Sequence, residues 1–269
     1  MPERPVTTPK PGSPMRLSVL IPALNEEATL ARVVAAVVAT GSAHEIIVID
    51  DGSSDRTPEI VGHLVASSGG LVRGLRHPRP RGKGAAVRAG LALATGSVVL
   101  VQDADLEYDP REYPGLLAPF ADPAVQAVYG SRNLHGGNPR SSFSFYWGGR
   151  LLSWAANTLF GTRLTDESTG YKAVRTELLR QLDLRLNGFE FCAELTGRLL
   201  RHGVAIREVP ISYRPRSFAE GKKIRWRDGM TALRVLVRER FRPRPAPGGA
   251  PRLLSPARPA ASRDLAHLS

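Results

Sequence analysis

One cysteine, Cys192, stands in the 269 residues, so no disulfide can form within the chain, which agrees with a reducing compartment. No apolar run approaches the roughly 20 residues that span a bilayer. The first residues lack the apolar core of a signal peptide, so any membrane contact is expected to be peripheral or through a partner. His63, His77 and His202 have no spacing with a cysteine that would suit zinc, and no repeat of fixed period runs through the chain. Cys192, His202 and the three methionines are read as structural or incidental.

What is present is ordinary for a globular protein: 42% hydrophobic residues, enough for a sizeable core. Eleven of the 22 prolines crowd the two ends. Residues 1–15 are therefore expected to be a disordered Pro-rich leader and residues 242–269 a disordered Pro/Arg-rich tail, around one domain over 16–241. Of the net charge of +12, residues 1–16 carry +2 and residues 241–269 carry +4, which leaves +6 on the body. A basic body suits an anionic partner: nucleic acid, a phosphorylated substrate or an acidic membrane surface.

The hydropathy pattern alternates strand and helix. Leu17 to Pro22 reads as a buried strand, Asn25 as the cap of an amphipathic helix, and Leu30, Val33, Val34, Val37 and Val38 as that helix's apolar face. Glu45 to Asp50, Leu71 to Arg76 and Val98 to Gln102 read as further strands, with helices opening near Pro58 and at Lys83 to Ala94. This order predicts an α/β fold with a parallel sheet, whose chemistry lies in the loops beyond the strands' carboxyl ends. Further on, Val125 to Gly130 and Ile206 to Tyr213 read as strands, and Phe143 to Phe160, Phe189 to His202 and Met230 to Phe241 as helices.

The strand-end loops are rich in carboxylates. Asp103-Ala104-Asp105 follows a very apolar strand, where alternating carboxylates either offer oxygens to a hard divalent cation or merely solubilise the loop. Glu107 would add a third oxygen. Asp50-Asp51-Gly52-Ser53 either accepts hydrogen bonds from a base or ribose or forms an ordinary turn. Asn25-Glu26-Glu27 suits a first helical turn on dipole grounds alone. Arg81-Gly82-Lys83-Gly84 opens a helix and could hold phosphate, but it lacks the complete P-loop and dinucleotide fingerprints. In Thr165 to Gly170, Asp166 either handles an acceptor's proton or caps a turn. Arg216, Lys222, Lys223, Arg225 and Arg227, with Trp226 among them, either close over phosphate, rest on anionic headgroups or form a solvated loop.

Taken in order, Pro22-Ala23-Leu24-Asn25-Glu26, Asp50-Asp51-Gly52-Ser53, Gly82-Lys83-Gly84 and Asp103-Ala104-Asp105 resemble the family 2 glycosyltransferases of GT-A fold, and among them the dolichyl- or polyprenyl-phosphate sugar synthases. The resemblance implies a single domain with a Rossmann-like, mostly parallel central sheet flanked by helices. It implies a nucleotide-sugar site made of Pro22, Ala23, Asn25, Glu26, Asp50, Asp51, Lys83, Asp103, Ala104 and Arg132. Mg²⁺ or Mn²⁺ would sit on Asp103, Asp105 and Glu107, where the lipid-phosphate branch commonly has Gln at the third position. Asp105 and Asp166 would be catalytic, and Arg216, Lys222 and Lys223 would hold phosphate or acceptor. The expected partners are a nucleotide-diphosphate sugar, a polyprenyl phosphate and the membrane surface, with an integral membrane protein standing in for the membrane helices that many relatives carry. Nucleic acid is not expected.

The implied reaction is metal-dependent and inverting, at the cytoplasmic face of a membrane. A lipid phosphate acceptor is already ionised at neutral pH and needs no strong base, whereas a saccharide hydroxyl would require a carboxylate such as Asp166. The rivals are a transferase with a saccharide acceptor, a nucleotidyltransferase on a related sheet, and a basic binding module without activity.

Overall fold

The computed structural model describes residues 15–134, 136–139, 143–216 and 226–243. The chain runs β1 (Leu17–Ala23), α1 (Leu30–Ala39), β2 (Ala43–Asp50), α2 (Thr57–Ser67), β3 (Val72–Arg76), α3 (Lys83–Leu93) and β4 (Val98–Val101). Short 3₁₀ turns at Pro110–Glu112 and Ala118–Ala121 flank α4 (Tyr113–Leu117). Then come β5 (Ala127–Ser131), α5 (Phe143–Phe160), β6 (Lys172–Arg175), α6 (Thr176–Gln181), α7 (Phe191–Arg201), β7 (Ile206–Pro210) and α8 (Trp226–Phe241).

The strands form one sheet in the order β3-β2-β1-β4-β6-β5-β7. All neighbours are parallel except β6, which is antiparallel to both β4 and β5. Its near-continuous apolar strands are what a sheet covered on both faces requires. The period of two sorts them cleanly: Val19, Ile46, Val48 and Leu100 pack into one layer with α1, while Leu20, Ile47, Ile49 and Val99 pack into the other with α3 and α7. A third cluster joins Leu152 and Ala156 of α5, Ala193 of α7 and Val235 and Leu236 of α8.

Two sequence expectations change here. Asn25 does not cap the first helix: it sits at a φ of 51°, a backbone region asparagine tolerates, and α1 begins after Thr29. The sequence reading also passed over β6, a strand of four residues that pairs with β4 from Val98↔Arg175 to Val101↔Lys172. Because β6 runs the other way, the segment leading into it, residues 165–171, lies at the carboxyl end of β4. The expected strand to Tyr213 ends at Pro210, and the last helix starts at Trp226 rather than Met230. The two tails expected to be disordered lie outside the described residues, apart from Met15, Arg242 and Pro243 at their inner ends.

Candidate active site

Strand order reverses between β1 and β4, so the loops after β1, β2 and β4 meet at the point where such sheets bind ligands. A cavity of about 660 Å³ opens there, walled by those loops, by the 167–170 segment and by α5, α7 and α8.

The first two loops are laced together. The Asn25 and Glu26 backbone N–H groups donate to Ser53 Oγ and Thr57 Oγ1, each at 2.9 Å. In return Ser54 N–H donates to Asn25 Oδ1 at 2.9 Å, and Arg56 N–H to Glu27 Oε2 at 3.0 Å. Asn25 is therefore spent on the lacing and is not part of the cavity wall, whereas Pro22, Ala23, Leu24 and Glu26 are.

Adjacent aspartates at the end of β2 face opposite ways, as period two demands. Asp50 is buried, accepts from Ser53 N–H at 2.9 Å and pairs with Arg76 at 3.0 Å. It closes the turn and is not on the cavity wall, where Asp51 stands in its place. Asp51 does line the cavity. Its oxygens accept from Arg81 N–H at 3.0 Å, Gly82 N–H at 2.7 Å and His77 Nδ1 at 2.6 Å. Asp51 thus folds the 77–82 loop around itself and aims α3 at the cavity. Gly82 is required there, because φ is 101° and an added Cβ would collide with the Asn187 carbonyl.

At the end of β4, Lys83 from the start of α3 donates to Asp103 Oδ1 at 2.5 Å. Burial alone would lower the Lys83 ammonium's pKa, but Asp103 holds it above its ordinary value. Arg216 donates to Asp105 Oδ2 at 2.9 Å and to Glu26 Oε2 at 3.3 Å. Burial, together with the charges of Asp103 and Glu107, still pushes the Asp105 carboxyl up to about 7 against the pull of Arg216. Ala104 lines the wall between the two aspartates.

Glu107 also reaches the cavity, but its carboxylate accepts from Arg216 N–H at 2.8 Å and from Tyr213 Oη at 3.2 Å. Expected as the third metal ligand, it also fastens the segment after β7. Among the described residues no three His, Cys, Asp or Glu side chains converge as a ready-made cage. Asp103 and Asp105, paired with Lys83 and Arg216, still fit a hard cation that completes its shell with substrate phosphate and water.

Arg132, just past β5, is gripped by Asp166: Nε and Nη2 donate to the two carboxylate oxygens at 2.7 Å each, and the Arg132 N–H adds a bond of 2.9 Å. Asp166 is 1% exposed and does not line the cavity, while Arg132 does. Both oxygens of Asp166, expected to handle an acceptor's proton, accept hydrogen bonds from the Arg132 guanidinium. Lys222 and Lys223 lie outside the described residues.

Sequence reasoning passed over several cavity residues. Tyr213 carries the Arg132 guanidinium 5.0 Å above its ring. Tyr108 stacks on Tyr171 at 4.7 Å and accepts from Gly170 N–H at 2.9 Å. Gly170 lets the segment before β6 pass this closely, since an added Cβ would lie 2.5 Å from Asp103 Oδ2. Cys192, read as structural, also reaches the wall. The segment Thr165 to Gly170 was noticed only for Asp166; the missing signal was the antiparallel β6, which brings Glu167 and Ser168 to the cavity as well.

Comparison with known proteins agrees with this geometry. The polyprenol monophosphomannose synthase of Mycolicibacterium smegmatis is 34% identical over 77% of this chain and 80% of its own length. The undecaprenyl-phosphate mannosyltransferase of Micrococcus luteus is 33% identical over 77% of this chain and 87% of its own. Among solved structures, glucosyl-3-phosphoglycerate synthase from Mycobacterium tuberculosis, in complex with Mn²⁺, UDP and glucosyl-3-phosphoglycerate, superposes with a TM-score of 0.64 at 25% identity, covering 87% of this chain and 86% of that one. The same enzyme with Mg²⁺ and UDP gives 0.63 at 26% identity over 84% and 79%. The sheet has the GT-A-like arrangement of these neighbours. The model named Glycosyl transferase family 2 matches residues 18–183, and with these relatives it shows that the chain belongs to glycosyl transferase family 2.

Proposed function

We propose that this glycosyltransferase moves a sugar, with inversion, from a nucleoside diphosphate to a polyprenyl phosphate at the cytoplasmic face of a membrane. The observation that carries the reading is the two-ended cavity. One end gathers Asp103, Asp105, Lys83, Arg132 and Arg216, and the other runs between Leu151 and Leu152 of α5, Ala193 of α7, and Met230 and Leu233 of α8. A phosphate on an isoprenoid chain has the same two ends. The relatives named for polyprenol and undecaprenyl phosphate support that acceptor.

In this mechanism Pro22, Ala23, Leu24 and Asp51 border the nucleoside side and Lys83 the diphosphate. Mg²⁺ or Mn²⁺, held by Asp103 and Asp105, would neutralise charge on the departing nucleoside diphosphate. Arg132, fixed by Asp166, and Arg216 place the acceptor phosphate for in-line attack on the anomeric carbon. No general base is required, because the attacking oxygen belongs to an ionised phosphate. That agrees with Asp166 being occupied.

Among the described residues no helix is long and apolar enough to cross a membrane. Membrane contact is proposed through the helices that wall the cavity's apolar end. Trp147, Leu151 and Trp154 of α5 are exposed on one face, as are Met230, Val237 and Phe241 of α8, with exposed Arg227, Arg234, Arg238 and Arg240 around them.

The test is nucleoside diphosphate release from a panel of UDP- and GDP-sugars, with and without Mn²⁺ and with and without polyprenyl phosphate. Release that requires both is expected. Release indifferent to the lipid would move the reading to a saccharide acceptor, and no release from folded protein would overturn the enzyme.

A further inference from the structure

Glu167 is 1% exposed and lines the cavity, yet its carboxylate takes no hydrogen bond and no ion pair among the described residues. Its backbone is fully engaged: N–H donates to Ser153 Oγ at 2.9 Å, and the carbonyl accepts from Lys172 Nζ at 2.6 Å. Single oxygens of Asp50, Glu112 and Glu239 also lack a hydrogen bond, but each of those carboxylates accepts one on its other oxygen, from Ser53 N–H, Ser212 N–H and Arg238 respectively. Glu45 accepts from Ser18 Oγ, Thr95 N–H and Arg73. Glu194 accepts from Arg185 N–H, Leu186 N–H and Arg198. A buried polar oxygen without a partner costs folding free energy, and a native fold keeps one where a ligand supplies the bond.

The surroundings state what kind of ligand. Lys172 is itself buried, with its ammonium 3.7 Å from the centre of the Tyr129 ring. Burial lowers that ammonium's pKa, and the Glu167 charge opposes the shift. Lys172 therefore balances the charge of Glu167 without occupying its oxygens, and the lone pairs stay open to a donor. A phosphate would be repelled here and has Lys83, Arg132 and Arg216 instead. A neutral hydroxyl fits. Glu167 stands three residues before Gly170, which packs against Asp103, and three residues of chain span at most about 10 Å. A sugar whose diphosphate lies at Asp103 is within reach.

Resting on the glycosyl-transfer reading above, we propose that Glu167 recognises the transferred sugar by accepting a hydrogen bond from one of its hydroxyls, and that its charge excludes hexuronosyl donors. Neutral hexosyl donors are the substrate class it selects.

The experiment measures two things on Glu167→Gln and Glu167→Asp alongside the unaltered chain, with Mn²⁺ present. Calorimetry gives the Kd of UDP, GDP and the nucleotide sugars, and turnover with polyprenyl phosphate added gives kcat/KM for UDP-glucose against UDP-glucuronate and GDP-mannose against GDP-mannuronate. In Glu167→Gln the bare nucleotides are expected to bind as before. Its kcat/KM for the neutral donor should fall roughly 10–100-fold, the worth of a hydrogen bond to a charged acceptor, and discrimination against the uronosyl donor should shrink. Glu167→Asp retains the charge beside Lys172 and hence the fold, but draws the oxygens back. It should lose affinity for the neutral sugar while still rejecting the uronosyl one. Unchanged kcat/KM and discrimination in both variants would overturn the role of Glu167 while leaving the glycosyl-transfer reading intact. If the unaltered chain turns over no donor, that reading fails instead, and equal Kd values for bare nucleotide and nucleotide sugar then overturn the role of Glu167 as well.

Discussion

At the polar end of the cavity Asp51 is engaged with a loop, Asp103 with Lys83 and Asp105 with Arg216, and Arg132 is held from behind by Asp166, whereas at the apolar end Leu151 and Met230 reach solvent. The polar end is assembled by strand-end loops that bond to one another before any ligand arrives. Its cations are arranged as placeholders that a diphosphate and a metal ion can exchange with, so binding there replaces interactions rather than creating order. The apolar end is two helix faces with no internal partner, and its free energy is realised only when something hydrophobic covers it. The polar end is thus ordered in advance, while the apolar end is left open.

The largest effect should come from removing the charge the polar end is built around. Asp105→Ala is expected to reduce turnover by on the order of 10³-fold, the scale of several kcal/mol of charge stabilisation, with circular dichroism unchanged. Near-normal turnover would break the comparison, since the polar end would then have no catalytic centre.

Next is the Arg132–Asp166 pair, which is bidentate and mostly out of solvent. Asp166→Ala strands a buried guanidinium and should cost about 3–5 kcal/mol of stability in denaturant titration. The sharper readout is the pH profile of Asp166→Asn. If Asp166 only positions Arg132, the residual rate keeps the pH dependence of the unaltered enzyme; loss of an acidic limb would restore it as a base.

At the apolar end, Trp154 and Phe241 are 63% and 75% exposed. Replacing each by Ser should weaken binding to vesicles of phosphatidylglycerol and phosphatidylcholine by roughly tenfold per side chain, on the scale of burying one apolar group. UDP and GDP affinities should not move. Salt should weaken vesicle binding further, through the α8 arginines. Unchanged binding in both variants would show that the two ends do not divide their work in this way.

The contrast also explains what the sequence disclosed. The first 105 residues are legible because β1 to β4 are local units, each a continuous apolar run ending in a carboxylate loop, and helix and strand periods are written in consecutive residues. Even there, which aspartate of Asp50-Asp51 faces the cavity follows from sheet register and the facing loop, not from the motif. The second half is set by long-range pairing. A strand as short as Lys172–Arg175 carries little pattern of its own, yet its antiparallel placement is what delivers Asp166, Glu167 and Gly170 to the site. Tyr213 and Glu107 likewise find each other across 106 positions of sequence.

The smallest expected effect distinguishes placeholder cations from the metal ion itself. With Asp105 pushed up to about 7 by burial and by Asp103 and Glu107, the metal-free folded chain holds a proton that the unfolded chain releases near the ordinary carboxylate range. That contribution to stability is complete below the unfolded pKa and is lost as pH rises through about 7, so the melting temperature without metal should decline modestly from pH 5 to pH 8. Mn²⁺ needs the ionised carboxylate and competes with that proton. Its stabilising effect should therefore be larger at pH 8 than at pH 6, and Asp105→Asn should flatten both trends. If Arg216 were instead sufficient to keep Asp105 ionised, the Mn²⁺ effect would be the same at both pH values, and the polar end would be closed by its own cations rather than held ready for another.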